Sequence, residues 1–273
     1  DHYELTRPLP PLAIPSSLHD ALMARLDRLA AVKSVAQLGA TLGRQFPYAL
    51  LRAVAPLDET ALQHALGQLV HAELLYQRGV PPHATYLFKH ALIQDAAYQS
   101  LLKRTRQQYH QHIAQVLEAQ FPNTVETQPE LLAHHYTEAG LAAQAVGYWQ
   151  RAGERGHARS AYVEAVGHCT TGLEVLQTLP DTPQRAQQEL HLLLILGGAL
   201  RITKGFAAPE VGHTFARARE LCERVGQPGQ RFAIMWGVWI WHLVRADLLL
   251  CADLAREAVA LAKRLHFANV GLY

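Results

Sequence analysis

The sequence has few cysteines and no long apolar run. Three cysteines occur among 273 residues, at Cys169, Cys222 and Cys251, and their wide spacing excludes a disulfide framework and a cysteine zinc site. The most apolar stretch, 232–244, is shorter than the roughly 18 residues that a membrane span needs, so it predicts a buried helix. We therefore expect a cytoplasmic location and no membrane partner.

Strong charge and the common catalytic motifs are missing as well. The net charge is only +2, so no global field favours nucleic acid or a membrane surface. Sixteen histidines are scattered without cysteines or carboxylates at ligand spacing, and we expect no metal site. The motifs G-x-x-x-x-G-K-[ST], G-x-G-x-x-G, G-x-S-x-G and H-E-x-x-H do not occur. We expect this chain to have no catalytic residue, no cofactor of its own and no enzymatic activity.

The first half of the chain changes from helical to strand periodicity and back. Residues 1–15 are rich in proline and predict an extended linker. Residues 16–122 predict helices with a small β-hairpin among them, which is the layout of a winged-helix domain. The predicted helices are one that starts behind Ser16 and Ser17 and those at 31–42, 46–54, 57–75, 90–103 and 105–120; the predicted strands are 74–79 and 84–89.

The second half, 127–273, predicts helices joined by short loops. We therefore predict a mainly α fold, in which the winged-helix domain is followed by an α-solenoid of tetratricopeptide-like helical hairpins. The loop at 203–209 is longer than a tight repeat would use. The predicted helices are 128–139, 142–158, 162–178, 185–202, 210–225, 229–246 and 248–266.

One segment of this array matches a tetratricopeptide unit of about 34 residues. Trp149, Gly153, Ala165 and Gly172 have the large–small–small–small offsets that let two helices pack tightly. The pattern departs from the repeat at Cys169, where an aromatic residue is usual.

The predicted strand that ends near residue 88 runs directly into a predicted helix, and Lys89 and His90 lie at the joint. A helix N-terminus offers unpaired backbone N–H groups and the positive end of a dipole, so it favours a phosphate. Lys89 would add charge, and His90 could donate a directed hydrogen bond. The alternative is that His90 closes the turn and packs there.

Two further stretches each allow two interpretations. The basic segment 103–112 could contact DNA or form the solvated face of a helix, and we favour the solvated face. Trp236 and Trp239 either pack inside a helical hairpin or line an aromatic groove that binds a peptide.

From about residue 12 to 250 the chain resembles the C-terminal half of bacterial signalling ATPases of the STAND class. The resemblance rests on "IPSSLHDALMARLDRL", "FKHALIQDAAYQSLLKRTRQQYHQHIAQVLE", "PELLAHHYTEAGLAAQAVGYWQRAGERG" and "LGGALRITKGFAAPEV". In this class an AAA-like ATPase is followed by a winged helix and tetratricopeptide repeats, and the likeness is strongest to members fused to class III adenylate/guanylate cyclase domains.

The resemblance implies a role for the joint. Members carry a winged-helix histidine that contacts the phosphates of bound ADP and helps to hold the resting state, and His90 matches it by its place after the wing strand. ATP or ADP with Mg is therefore expected in the parent protein, bound by an upstream ATPase domain, which would be the first partner of this chain.

The expected function is that of a regulatory and protein-interaction segment. A protein or small-molecule inducer on the repeats would bias the nucleotide state of the ATPase, and DNA is not expected as a partner. Two alternatives remain open at this point. The chain could belong to a STAND-type transcriptional regulator, or it could be a stand-alone tetratricopeptide scaffold.

Overall fold

The computed structural model describes residues 23, 24 and 26–264. The described part is mainly helical with one small sheet, as predicted. It forms two compact units, the first ending at Phe121 and the second beginning at Pro122. The predicted linker 1–15 and the serines expected to begin the first helix lie outside the described residues.

The first unit is built from helices and a three-stranded antiparallel sheet in the order β1-β3-β2. Its elements are α1 (Ala30–Leu42), β1 (Gln45–Pro47), α2 (Tyr48–Val54), α3 (Glu59–His71), β2 (Leu75–Arg78), β3 (Thr85–Phe88), α4 (Ala91–Gln99) and α5 (Lys103–Gln120).

Two helix ends in this unit follow from local chemistry that the sequence displays. Helix α1 stops at Gly43, whose φ of 134° suits a residue without a Cβ atom. Helix α3 begins after Asp58, whose carboxylate accepts a hydrogen bond from the Ala61 backbone N–H at 2.8 Å. Glycine and aspartate are residue types that commonly end and begin helices in this way.

The prediction of one helix over 46–54 was wrong at its start. Residues 45–47 form strand β1, and Phe46 pairs with Tyr86 of the central strand β3. Three residues are too few to show the alternation that identifies a strand, and the helical spacing of the following leucines masked it. The sheet therefore has three strands, whereas only a hairpin was expected.

The predicted helix 90–103 also ends earlier than expected. Helix α4 stops at Gln99, and the Ser100 hydroxyl donates to the Ala97 carbonyl oxygen at 2.6 Å. Leu102 is 77% exposed at the break, and α5 starts at Lys103. The apolar pattern continues through the break, so it hid the turn.

The second unit is helical throughout its described part. Its longer helices agree with the predicted ones to within two residues wherever the structure describes them, and the short α6 was missed because it has no buried side chain to set a pattern. The helices are α6 (Pro122–Thr127), α7 (Pro129–Glu138), α8 (Ala142–Ala158), α9 (Tyr162–Leu176), α10 (Pro183–Lys204), α11 (Pro209–Val225), α12 (Pro228–Val244) and α13 (Leu248–Arg264).

Consecutive helices of this unit pack on one another, and α8, α10 and α12 also contact in series. At the crossing of α8 and α9, a Cβ atom on Gly153 would lie 2.6 Å from Cys169 Sγ. A Cβ atom on Gly172 would lie 3.0 Å from Trp149 Cβ. The small residues therefore permit a close approach that a larger side chain would prevent.

Among the described helices, none combines the length and the hydropathy that a membrane crossing requires. Within residues 23, 24 and 26–264, no group of three histidines, cysteines or carboxylates is placed to hold a metal ion.

Candidate functional site

The joint between β3 and α4 places His90 at the start of a helix. His90 is the N-cap residue of α4, with extended backbone angles of φ −134° and ψ 145°, and its ring makes no capping hydrogen bond. The Ile93 backbone N–H donates to the His90 carbonyl oxygen at 3.1 Å. The residue is exposed, and the first turn of α4 has no acidic residue to oppose an anion. An exposed imidazole therefore lies beside the positive end of a helix.

Lys89, the neighbour of His90, is engaged with other groups. Its backbone N–H donates to the Leu74 carbonyl oxygen at 3.0 Å, and its Nζ lies 3.4 Å from Glu73 Oε2. The same ammonium group is 5.4 Å from the centre of the Tyr76 ring. The sequence predicted that the positive charge of Lys89 would strengthen a phosphate site. The Glu73 carboxylate offsets that charge, and a contribution of Lys89 to such a site stays a prediction.

Helix α4 is held on α1 by hydrogen bonds of long amide side chains. Gln94 donates to the Ala40 carbonyl oxygen at 3.2 Å, and the Gln37 amide donates to the Ser100 hydroxyl at 2.8 Å. Ile93 is buried on the same helix. These contacts fix the axis of α4 and so the direction in which its N-terminus points.

The basic segment 103–112 divides between surface and packing. Lys103 and Arg104 are exposed. The Arg106 guanidinium lies 5.2 Å from the centre of the Tyr98 ring, so this cation covers an aromatic side chain. The next buried side chain is His110, whose Nε2 lies 2.9 Å from the Tyr98 hydroxyl. Half of the apparent basic patch is therefore part of the packing between α4 and α5.

The two tryptophans singled out in the second unit differ in exposure. Trp236 is 42% exposed, whereas Trp239 is half-buried. The prediction that 232–244 is a buried helix holds for Ile234 and Met235 but is wrong for Trp236 and Val244, and the stretch 238–243 is only half-buried. Hydropathy does not distinguish the exposed residues of this stretch from the buried ones. The exposed indole of Trp236 lies beside a residue of another helix, and the sequence pattern gave no sign of that contact.

That residue is Arg201 on α10. Its guanidinium lies 4.6 Å from the centre of the Trp236 ring, 5.6 Å from Phe215 and 5.8 Å from Phe206. Burial lowers the pKa of Arg201 from its usual value. The predicted long loop at 203–209 was wrong in its extent, because α10 continues to Lys204 and α11 begins at Pro209. Phe206 lies on the short connection that remains, and nothing in the sequence pattern indicated its contact with Arg201.

Comparison with known proteins adds little about function. No protein-family model matches the chain. A protein of Rhizobium meliloti (strain 1021), described as an uncharacterized protein, is 27% identical over 260 residues, which is 94% of this chain and 25% of that protein. The chain thus spans about a quarter of the length of this curated relative. The crystal structure of BtubC (BKLC) from P. vanneervenii covers 93% of this chain and 95% of its own with 10% identity and a TM-score of 0.31, a likeness too low to support any inference.

Proposed function

We propose that this chain is a regulatory and interaction segment of a multidomain signalling ATPase, in which its first unit senses bound nucleotide and its second unit binds a partner. The observation that carries the proposal is the exposed His90 at the N-terminus of α4, directly after the last strand of the sheet. A nucleotide cyclase fused to the ATPase is the output that the sequence resemblance favours.

The order of elements in the first unit supports its assignment as a winged helix. Helix, strand, two helices and two strands follow one another from α1 to β3. The turn that joins β2 and β3 would be the wing, and α4 would follow it with His90 as its first boundary residue. A histidine fixed there by the sheet on one side and α4 on the other has a defined position.

In the proposed resting state, ADP and Mg are bound by an ATPase domain outside this chain. His90 donates a ring N–H to a phosphate oxygen, and the backbone N–H groups of the first turn of α4 add their partial positive charge. This contact forms only with the phosphates as they are arranged in the resting state. It therefore stabilises the resting state relative to the active one.

The second unit supports the role of an interaction array. Its small residues at the α8–α9 crossing match the offsets of a tetratricopeptide unit, and α8, α10 and α12 contact in series, as the first helices of successive repeats do. A partner or inducer on that face would shift the nucleotide state of the whole protein.

DNA is not among the partners we propose. In a winged helix that binds DNA, the helix before the hairpin enters the major groove and nearby cations contact phosphates. Here that helix is α3, which contains Glu59 and has neither lysine nor arginine. This composition disfavours DNA contact through this unit. It does not bear on the alternative of a STAND-type transcriptional regulator, which would bind DNA through a helix-turn-helix after residue 273.

The test is the substitution His90→Ala in the full-length protein that contains this chain. One hydrogen bond to a charged phosphate contributes about 1.5–3 kcal/mol, so we expect ADP to bind roughly ten- to a hundred-fold more weakly. Basal output without inducer should rise. ADP affinity is measured by displacement of a fluorescent ADP analogue, with circular dichroism to verify folding.

His83→Ala is the matched control, because His83 is also an exposed histidine of the same unit but lies in the β2–β3 turn. It should leave ADP affinity unchanged. Equal affinities for wild type, His83→Ala and His90→Ala would show that His90 is only a turn residue. A stand-alone scaffold predicts a different outcome, in which none of the three proteins binds ADP, since it has no ATPase domain.

A further inference from the structure

The Arg201 side chain lacks the hydrogen-bond partners that a buried guanidinium requires. Its Nε and Nη1 atoms are buried, and neither has a hydrogen-bond partner among the described residues. No carboxylate of the described part forms an ion pair with Arg201 either. Buried polar atoms are satisfied in the great majority of cases, and a charged group is costly to leave unpaired. Arg201 has two such nitrogens, whereas Arg106 and Arg155 have one each, so Arg201 has the larger unmet hydrogen-bonding capacity among these described arginines.

Aromatic rings surround this guanidinium on several sides. Phe215 is buried between α10 and α12, where a Cβ atom on Gly197 or Gly237 would lie only 2.7 or 2.3 Å from its ring. The two glycines thus provide the space for a ring beneath Arg201. Trp236 and Phe206 are 42% and 38% exposed, so they form the solvent side of the cluster.

The loop that carries Phe206 is anchored at its far end. The Trp241 indole N–H donates to the Ala208 carbonyl oxygen at 3.0 Å. Trp241 also fills the space left by Gly212, where a Cβ atom would lie 2.5 Å from the indole. At its near end the loop turns at Gly205, with φ 89°. Phe206 is therefore held next to Arg201 by the fold and is not a side chain of a free loop.

A second arginine in the same unit shows what Arg201 lacks. The Arg245 guanidinium also lies 4.6 Å from a tryptophan ring, that of Trp241. Arg245 Nε, however, is 3.8 Å from Asp247 Oδ2. One stacked arginine thus has its carboxylate within the chain, and the other has the same stacking without one.

We propose that Arg201 binds a carboxylate of an acidic peptide segment, with Trp236 and Phe206 contacting the apolar side chains next to that carboxylate. The Arg201 guanidinium is a planar fork of N–H donors, and a carboxylate matches that geometry. Trp236 and Phe206 are both partly exposed beside Arg201, so exposed apolar side chains border the charged centre. An extended peptide with an acidic residue between apolar ones complements both features.

The proposal rests on the interaction role proposed above and names the chemistry of the partner. It places the site on α10 and α12, two of the helices that contact in series. Binding would require the Trp236 side chain, which is 42% exposed, to move aside so that the carboxylate reaches the buried nitrogens, while the anchored loop keeps Phe206 in place.

The test uses the full chain and two peptides, acetyl-Leu-Glu-Leu-amide and its matched glutamine version, acetyl-Leu-Gln-Leu-amide. Binding is followed by NMR at the Arg201 Nε–H resonance. We expect the glutamate peptide to shift this resonance and to bind about ten- to a hundred-fold more tightly than the glutamine peptide, because one hydrogen bond to a charged group differs between them. Arg201→Gln should abolish the preference.

Arg245→Gln is the matched control, and it should retain the preference for the glutamate peptide. Should Arg201→Gln not fold, Trp236→Ala, which removes an exposed side chain, should still weaken the glutamate peptide several-fold. Equal binding of the two peptides, or a preference that survives Arg201→Gln, would overturn the proposal. Inorganic phosphate that shifts the Arg201 resonance while both peptides leave it unmoved would overturn it in favour of a small-anion site.

This experiment is independent of the nucleotide test. His90→Ala should bind the glutamate peptide like wild type. If His90→Ala left ADP affinity unchanged, the peptide experiment would still test the Arg201 site separately.

Discussion

One close contact in each unit depends on side chains of opposite size. In the first unit, a buried aromatic cluster lies on the sheet, where the Phe46 ring centre is 6.0 Å from those of both Tyr86 and Phe88. In the second unit, α8 and α9 approach closely where Gly153 faces Cys169, and a Cβ atom on Gly153 would lie 2.6 Å from the sulfur.

The difference predicts which kind of substitution each unit tolerates. A sheet covered by helices leaves a gap that large rings fill, so truncation there creates a cavity. Two helices that approach through glycine leave no gap, so enlargement there forces them apart. The Phe46 cluster should therefore be sensitive to losing atoms, and the Gly153–Cys169 contact to gaining them.

The largest effect is expected from Phe46→Ala. Its ring is 1% exposed, so truncation should lower the free energy of unfolding of the first unit by about 3–5 kcal/mol. Hydrogen exchange of the Phe88 amide, which donates to the Arg44 carbonyl oxygen at 3.0 Å, measures the loss. Val80→Ala, at a turn residue 73% exposed, should change stability little. A loss below about 1 kcal/mol for Phe46→Ala would contradict the aromatic-core interpretation.

Trp149→Ala should have the next largest effect. The indole is half-buried, its N–H donates to the Thr137 hydroxyl at 3.0 Å, and its ring stacks on His168 with centres 5.7 Å apart. We expect a loss of about 2–3 kcal/mol, below the 3–5 kcal/mol of a fully buried tryptophan. Urea unfolding followed by circular dichroism measures it.

Trp149→Phe separates the two contributions of the indole. It keeps most of the apolar bulk and removes the hydrogen-bond donor, so it should lower the free energy of unfolding by about 1 kcal/mol. A phenylalanine variant as unstable as the alanine variant would show that the hydrogen bond, and not the packing, is what matters at this residue.

Gly153→Ala should destabilise the second unit by about 1–2 kcal/mol although alanine is the better helix former. The reason is the 2.6 Å approach of the new Cβ atom to Cys169 Sγ. All 4 tryptophans of the chain lie in this unit, so their fluorescence during urea unfolding reports it alone.

Gly147→Ala, on the same helix, is the control. No atom would lie within 4 Å of its Cβ atom, so we expect a gain of about 0.5–1 kcal/mol. Cys169→Ala in the Gly153→Ala background should recover part of the loss. If Gly153→Ala and Gly147→Ala change the free energy of unfolding by the same amount, the Gly153–Cys169 contact does not limit the approach of α8 and α9.

The smallest effect, with no change in stability, is expected from labelling the native cysteines. Burial, with a smaller contribution from the Glu154 carboxylate, raises the pKa of the Cys169 thiol from 9.0 to about 12. At pH 8 the reactive thiolate should thus be about a thousandfold rarer than at an ordinary cysteine. Mass spectrometry after iodoacetamide treatment should find Cys169 unmodified until the protein unfolds. Rapid labelling of the folded protein would show that the α8–α9 crossing opens.

The sequence predicted where some of the candidate site residues lie relative to helices and strands, but it did not predict which side chains they contact. His90 was expected at a helix start and is the N-cap residue of α4, because the change from strand to helix periodicity marks such a start. Lys89 was expected to share the role, but its pairing with Glu73 depends on how β2 and β3 align. Arg201 was not anticipated at all, since an isolated arginine in a helical pattern predicts only a surface residue.

What the sequence determined by itself is the type and extent of the longer helices and the chemistry of their ends. Those features depend on neighbours within one or two turns, such as Asp58 beside the first N–H groups of α3. Only the tertiary structure decided that Phe46 forms a strand and that Arg201 meets Trp236 and Phe206. A three-residue strand exists only because β3 offers it hydrogen bonds, and an arginine becomes buried only where other helices bring aromatic rings over it.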